Sequence, residues 1–163
     1  RELGPLMTAF LLTGRVGSAI TAELASMSVY QEIDALRTMN LSPVRLLVMP
    51  RIVGGLLMMP FLTMFSNVLG WIGGWFVVKT VDVISIDGGI YWRSLKQYVD
   101  TYSITDGLIK SEIFALTIIL MSCSIGMRTQ GGPREIGASV TSTLVQTMVA
   151  ILTLDYFVTK LLL

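Results

Sequence analysis

The sequence predicts an all-α, polytopic integral membrane protein with about four membrane helices. Hydrophobic residues make up 53% of its 163 residues and charged residues 14%, and the mean hydropathy is +0.71. A soluble protein of this size could not bury so large an apolar fraction. Several apolar runs are also long enough to cross a bilayer, which takes about 20 helical residues. We therefore expect a single membrane domain over residues 1–163.

The first membrane helix is predicted from Leu3 to Met27. Its first half is apolar and its second half is rich in small residues, but Arg15 and Glu23 shorten the apolar run. The helix is therefore expected either to begin before residue 1 or to leave the bilayer near Gly14. Because the chain opens on a hydrophobic helix without an initiating methionine, we expect the domain to be truncated at its N-terminus.

Residues 28–50 are predicted to form an elbow between two membrane helices. Ser28 and Gln31 have the spacing of a capping box for a new helix, and Asn40 suits its end. Ser42-Pro43 then predicts the start of a further short helix. The elbow helix, of about three turns, is too short and too charged to span a bilayer. It is amphipathic, with an apolar face formed by Val29, Ile33, Leu36 and Met39 and with Glu32, Asp34 and Arg37 largely off that face.

Three further membrane helices follow the elbow. The clearest runs from Ile52 to Val78, the next from about Thr105 to Met127, and the apolar part of the last from about Val140 to Leu163. Between the first and second of these, a polar stretch contains a predicted short helix from Ile90 to Val99. Each of the three long segments can span a membrane at a rise of about 1.5 Å per residue.

The residue types that are missing from the sequence exclude several kinds of site. There is no histidine, which removes histidine metal motifs and any serine–histidine dyad. The single cysteine, Cys123, can form neither an intrachain disulfide nor a cysteine metal cluster. A net charge of +1 without a basic run argues against nucleic acid as a partner. Gly131-Gly132-Pro133 lacks the lysine and Ser/Thr of a phosphate-binding loop, so we expect no ATP, other cofactor or metal in this chain.

Four charged residues are predicted at membrane depth, namely Arg1, Glu2, Lys110 and Asp155. An ionised side chain at the bilayer centre costs from about 2.5 to above 10 kcal/mol, so such residues usually face a cavity or one another. Asp155 has more than one apolar turn on each side and is the most difficult to explain as a structural residue. Lys110 could instead snorkel to the interface or pair with Asp106, one helical turn earlier.

The first helix and the elbow also carry a family signature. The signature consists of Gly14-Arg15-Val16-Gly17-Ser18-Ala19, Thr21-Ala22-Glu23-Leu24, Met27 and Gln31-Glu32-Ile33-Asp34-Ala35-Leu36. In these residues the chain resembles the MlaE/YrbE permeases. Those permeases are the membrane subunits of ABC-type lipid transporters that work with MCE proteins. The resemblance is most specific from Arg1 to Pro50. It is looser over the rest of the chain and weakest in the loop from Arg128 to Gly137.

The resemblance implies a function, partners and site residues. It implies the permease subunit of an ABC-type phospholipid transport system, paired with a second copy of itself, with an ATPase subunit that binds the ATP and with an MCE-domain protein. The family's lipid-cavity positions fall on Arg1, Glu2, Lys110 and Asp155. Its ATPase-coupling positions place the elbow in the cytoplasm and fall on Gln31, Glu32, Asp34, Leu36 and Arg37. The implied location is a bacterial inner membrane, or else a plastid inner envelope.

Orientation and two other functions stay open at this point. Lysines and arginines near the spans number five on each side, so the positive-inside rule favours neither orientation. A structural or assembly subunit of the membrane would need no lipid path of its own. An intramembrane enzyme would need a serine–lysine pair or a second carboxylate beside Asp155.

Overall fold

The structure, a computed structural model, describes residues 2–80, 88–99 and 101–162. These residues form helices and contain no strand, which confirms the all-α prediction. The α-helices are α1 Leu3–Leu12, α2 Ser18–Val29, α3 Glu32–Thr38, α4 Met49–Thr80, α5 Gly88–Tyr98, α6 Thr101–Arg128 and α7 Pro133–Leu162. The π-helical turn Thr13–Gly17 joins α1 to α2, and a second π-helical turn, Val44–Val48, leads into α4.

Within the described residues, four helices are long and apolar enough to cross a membrane, as predicted. We name them the first span (Leu3–Val29), the second span (Val44–Thr80), the third span (Tyr102–Arg128) and the fourth span (Pro133–Leu161). The first span is one continuous helix that passes through Gly14 as a π-helical turn. At about 1.5 Å per residue it is about 40 Å long, enough to cross the hydrocarbon core.

The second span begins earlier than the sequence predicts. The expected short helix after Ser42-Pro43 is not separate, because it continues through Pro50 into α4. Pro43 does start the helix, and the amide of Leu46 donates to the carbonyl of Ser42 at 3.2 Å. A proline ring in an α-helix clashes with the carbonyl one turn earlier, and because proline has no backbone N–H, one helical hydrogen bond is lost. The wider π-helical turn Val44–Val48 directly before Pro50 accommodates both effects, so no break is needed there.

The capping box predicted at Ser28 is wrong. The first span continues to Val29, and the Ser28 hydroxyl donates instead to the carbonyl of Thr129 at 2.8 Å, at the end of the third span. The chain then turns at Gln31, whose φ is 61°, and no described side chain caps α3. Helix α3 has seven residues, about two turns rather than three, and is followed by Asn40 with a φ of 60°. Asn40 thus ends the elbow helix as expected, because asparagine tolerates the left-handed conformation better than most residues.

The third span is the centre of the helix bundle. Of its most apolar window 44% is buried, against 28% or less in each of the other spans. It packs against the first, second and fourth spans. Two clusters of buried side chains lie along it, one with Ala9, Met59, Phe114, Ala115, Ile118 and Ile151, the other with Leu24, Val48, Ile119 and Cys123. The third span is therefore in contact with each of the other three spans.

A short helix packs on the second span where the sequence predicts one. The predicted segment from Ile90 to Val99 corresponds to α5, Gly88–Tyr98. The Tyr91 hydroxyl donates to the carbonyl of Trp71 at 2.9 Å. Gly74 makes this contact possible, because a Cβ at that position would lie 2.6 Å from the Tyr91 hydroxyl oxygen. The aromatic ring thus ties α5 to the second span.

Hydroxyl side chains join the first, third and fourth spans in the apolar interior. The Thr21 hydroxyl is fully buried and lies 3.1 Å from the Thr143 hydroxyl and 3.3 Å from the carbonyl of Ser122. Interhelical hydrogen bonds of this kind contribute about 0.6 kcal/mol on average within a membrane. The contacts of the Thr21 hydroxyl therefore contribute modestly to stability and fix the register of the three helices.

Replacing Thr21 with valine is expected to lower the melting temperature of the purified protein slightly. The two side chains have nearly the same shape, so the loss reports the one proton of the Thr21 hydroxyl, which has acceptors in its own helix, the Gly17 carbonyl, and in two other spans; an interhelical bond is worth about 0.6 kcal/mol. The matched control is Thr153→Val, because the Thr153 hydroxyl is exposed and bonds the carbonyl of Val149 in its own helix. Equal melting temperatures for the two variants would contradict a role of Thr21 between helices.

Candidate functional site

The described site residues expected at membrane depth come together at one end of the bundle. Glu2 lies just before the first span, Lys110 lies in the third and Asp155 in the fourth. Arg1, the remaining member of the predicted set, lies outside the described residues. Three charged groups that are far apart in the sequence are therefore neighbours in the fold, as charges at membrane depth usually are.

Lys110 is the centre of this cluster. Its ammonium group forms an ion pair and hydrogen bond with Glu2 Oε2, donates to the Thr159 hydroxyl at 2.7 Å, and lies 3.6 Å from Asp155 Oδ1. The Lys110 side chain is 3% exposed, so the alternative that it snorkels to the interface is wrong. A buried ammonium group needs partners of this kind, because desolvation costs more than a single pairing returns.

Thr159 is a member of the cluster that the sequence reasoning missed. Its hydroxyl accepts the hydrogen bond from Lys110 and lies 2.7 Å from the carbonyl of Asp155, one turn earlier. The same oxygen is 3.2 Å from Glu2 Oε2. The sequence did offer a signal for Thr159: it lies four residues after Asp155, and residues i and i+4 share a helix face.

The two carboxylates of the cluster line an open groove of about 610 Å³. Its described lining includes Glu2, Asp155, Thr159 and Lys160, whereas Lys110 lies behind them. Asp155 Oδ1 is buried and accepts no hydrogen bond from any described residue. Lys110 therefore holds in place the Glu2 and Asp155 side chains that line the groove, beside the exposed Lys160.

Glu2 also supplies the second carboxylate that an intramembrane enzyme would need beside Asp155. The two acids contact the same ammonium group, however, and the arrangement is an ion-paired triad. Aspartic-type catalysis needs two carboxylates that share a proton between them. In the described part of the chain, no group of three or more metal-ligating acids or cysteines could hold a metal ion. The geometry suits binding and positioning rather than bond cleavage.

The predicted coupling residues lie on the elbow helix α3 or, for Gln31, directly before it, at the end of the spans opposite the charged cluster. Ile33 is 3% exposed and anchors α3 to the bundle, and Leu36 is half-buried. The polar residues of the set, Gln31, Glu32, Asp34 and Arg37, are exposed. Asp34 and Arg37 form an ion pair of 3.1 Å, but both side chains are about two-thirds exposed, so the pair stabilises little. Helix α3 therefore presents a charged surface that its own fold does not use.

The profile of the family described as "Permease MlaE" matches residues 1–161. Among curated proteins, the chain is 34% identical over 162 residues to the "Probable ABC transporter permease protein" of Rickettsia typhi, covering 99% of this chain and 62% of that protein. It is 32% identical over 163 residues to the "Intermembrane phospholipid transport system permease protein MlaE" of Haemophilus influenzae, with the same two coverages.

A plant relative is similar at the same level. The chain is 35% identical over 156 residues to the chloroplastic protein TRIGALACTOSYLDIACYLGLYCEROL 1 of Arabidopsis thaliana, covering 96% of this chain and 44% of that protein. The chain thus spans about three-fifths of the length of the bacterial relatives that it matches.

Proposed function

This chain belongs to the MlaE permease family, and we propose on that basis that it is the permease subunit of an ABC-type phospholipid transport system. The observation that carries the proposal is α3, a short charged helix held at both ends by spans, with its acidic side chains exposed. Such a helix can bind a separate ATPase and pass its motion to the membrane helices. ATP is then bound and hydrolysed in the partner chain.

The proposed complex has further members. A second copy of this chain forms a homodimer with it, and an MCE-domain protein binds on the side opposite the ATPase. The second span supports an external partner or lipid contact, because Phe61, Phe65 and Phe76 are each more than three-fifths exposed. Large apolar side chains exposed in this number are covered by lipid or by protein.

The protein is an integral membrane protein, and its family places it in an inner membrane. The bacterial inner membrane puts α3 and the ATPase in the cytoplasm. The name of the Arabidopsis relative includes "chloroplastic", which is consistent with the plastid envelope as the alternative location.

We assign the lipid path to the groove beside the charged cluster, with Arg1, Glu2, Lys110 and Asp155 as the residues around the lipid head group. Lys110 is a positioning residue here, because it is buried behind Glu2 and Asp155. Carboxylates next to an exposed ammonium group, that of Lys160, suit a zwitterionic phospholipid head group. A positive head-group end would meet Asp155 and Glu2, and the phosphate would meet Lys160.

Replacing Glu32 with arginine is expected to abolish co-purification of the ATPase subunit with the full-length permease. Glu32 is exposed on α3 and in the first turn of that helix, so the fold tolerates the change. A reversed charge at a complementary interface costs several kcal/mol, so the association should weaken by at least about 100-fold. The measurement is affinity purification from solubilised membranes, with quantification of both subunits.

Arg93→Glu is the control for Glu32→Arg. It also reverses a charge at an exposed helical residue, but in α5, which follows the second span and lies at the end of the spans opposite α3. The control protein should retain the ATPase. If the wild-type protein retains no ATPase under conditions that preserve membrane complexes, the permease proposal is wrong and the structural-subunit alternative takes its place.

A further inference from the structure

Helix α5 has the composition of a helix that lies on a membrane surface. Its exposed residues include Trp92, which is 42% exposed, and the cations Arg93 and Lys96. Neither cation forms an ion pair with a described residue. Amphipathic helices that combine tryptophan with lysine and arginine are typical of the interface between hydrocarbon and water. The depth of α5 in the membrane follows from its contacts with the spans.

The second span sets the depth of α5. From Arg51 to Trp71 this span rises about 30 Å, the thickness of a hydrocarbon core. Trp75 follows one turn later, and the Lys79 ammonium group lies 5.3 Å from the centre of the Trp75 ring. Tryptophan rings with a lysine at the end of a span mark the head-group level of a bilayer. Trp71 therefore lies at the boundary of the hydrocarbon core, at the end of the bundle opposite α3.

Both halves of α5 lie near Trp71. Towards the start of the helix, the Tyr91 hydroxyl donates to the Trp71 carbonyl at 2.9 Å. At its end, Gln97 and Tyr98 line a groove of about 560 Å³ together with Trp71. The helix rises about 10 Å between Tyr91 and Tyr98. Because α5 stays near one level of the second span over that length, it runs along the membrane surface rather than away from it.

Trp92 and Lys96 lie on the same side of α5. They are four residues apart, so they are neighbours on the helix surface. The Trp92 ring packs edge to face on the Tyr91 ring, with ring centres 5.9 Å apart, and this contact holds it beside the second span. Arg93 and Ser94 lie about 100° and 200° further round the helix. Trp92 can therefore enter the lipid while Lys96, next to it, reaches the phosphates.

We propose that α5 is an interfacial helix, in which Trp92 inserts among the lipids of the leaflet opposite α3 and Lys96 binds the phosphate of an anionic phospholipid. A lysine at head-group level attracts anionic lipids, and a tryptophan ring there anchors the helix. Lys96 is not among the described residues that line the groove beside Glu2 and Asp155, so the site is separate from the charged cluster. It depends neither on transport nor on an ATPase. Helix α5 anchors the end of the second span in that leaflet.

The test uses the full-length protein in nanodiscs of phosphatidylcholine that contain a minor fraction of phosphatidylglycerol. A photoreactive benzophenone side chain replaces Trp92, and mass spectrometry identifies what it captures on illumination. We expect it to capture phospholipid, with phosphatidylglycerol enriched about fivefold over its share of the bilayer, the attraction that one lysine supplies near an anionic surface. Benzophenone in place of Ser94, on the far side of the helix, should capture little lipid.

Three charge variants, each combined with benzophenone at residue 92, test the role of Lys96. Lys96→Gln should return phosphatidylglycerol to its share of the bilayer without lowering the total capture of lipid, and Lys96→Arg should keep the enrichment. Arg134→Gln is the matched control, because it removes an exposed cation at the start of the fourth span, and it should change nothing. Raised salt should lower the enrichment as Lys96→Gln does, because it screens exposed charges.

Three outcomes overturn the proposal. Equal lipid capture from residues 92 and 94 would show that α5 does not lie with one side in the lipid. An unchanged enrichment of phosphatidylglycerol in Lys96→Gln would show that Lys96 binds no head group. Capture of a second copy in the nanodisc, or of a partner protein in the assembled complex, in place of lipid would make α5 a protein interface. None of these results bears on the ATPase association that tests the proposed function.

Discussion

Replacing Lys110 with methionine is expected to destabilise the protein more than any other single change in the charged cluster. Methionine fills much the same volume but leaves Glu2 and Asp155 without their shared ammonium group. Removing one partner of a buried ion pair costs of the order of 3 kcal/mol, because a desolvated charge is left behind. The melting temperature of the purified protein in detergent measures this loss.

The triple variant Glu2→Gln, Lys110→Met, Asp155→Asn is the decisive control for that prediction. It removes all three charges together, and replacing a whole buried ion cluster by neutral groups is often neutral for stability. The triple variant should therefore recover most of the melting temperature lost in Lys110→Met. A triple variant as unstable as the single one would show that Lys110 acts through its packing rather than its charge.

The same triple variant separates the two remaining functions. A lipid permease that uses the carboxylates of the groove should lose phospholipid transport in the assembled complex even though the variant folds and retains its ATPase. A structural subunit without its own lipid path should support transport at the wild-type rate. The measurement is ATP-dependent transfer of fluorescent phospholipid between proteoliposomes that contain the complete system.

Composition and helix length were sufficient to predict the number of spans, since an apolar run of about 20 residues has few alternatives to a membrane helix. Boundaries were less predictable. Ser28 and Gln31 fit a capping box, but the acceptor for the Ser28 hydroxyl is the carbonyl of Thr129, about 100 residues away. A local pattern cannot reveal a partner at that distance. The sequence also predicted a short helix after Ser42-Pro43 that is separate from the second span, whereas the π-helical turn Val44–Val48 joins the two.

The candidate site was predictable in part. The charges of Lys110 and Asp155 stand out in apolar segments, and a membrane interior forces such charges to find partners. Which partners they contact depends on how the spans pack: the fold pairs Lys110 with Glu2, also a predicted residue, and with Thr159, which the sequence did not indicate. Arg51 shows the limit most clearly. In the sequence it is one more basic residue at the end of the elbow, and its ion pair with Glu23 of the first span appears only once the spans pack together.

Replacing Gly126 with alanine is expected to separate the first and third spans and to lower the melting temperature clearly, although alanine is the better helix former. A Cβ at residue 126 would lie 2.8 Å from the Leu24 Cβ and 3.0 Å from the Thr21 carbonyl oxygen. Backbone cannot move aside as the end of a flexible side chain can, so the helices must shift. Overpacking of this kind costs about 1–3 kcal/mol, and Gly126→Leu should cost more.

Gly70→Ala tests whether the effect arises from this close helix approach. No described atom lies within 4 Å of a Cβ at residue 70, so alanine should there be neutral or stabilising by up to about 1 kcal/mol, the difference in helix propensity. The same substitution thus has opposite expected signs at the two positions. The loss at Gly126 should also add little to that of Thr21→Val, because a separation of the first and third spans already breaks the bond from Thr21 to the Ser122 carbonyl. Additive losses would mean that the spans stay together and that alanine at residue 126 disturbs only its own helix.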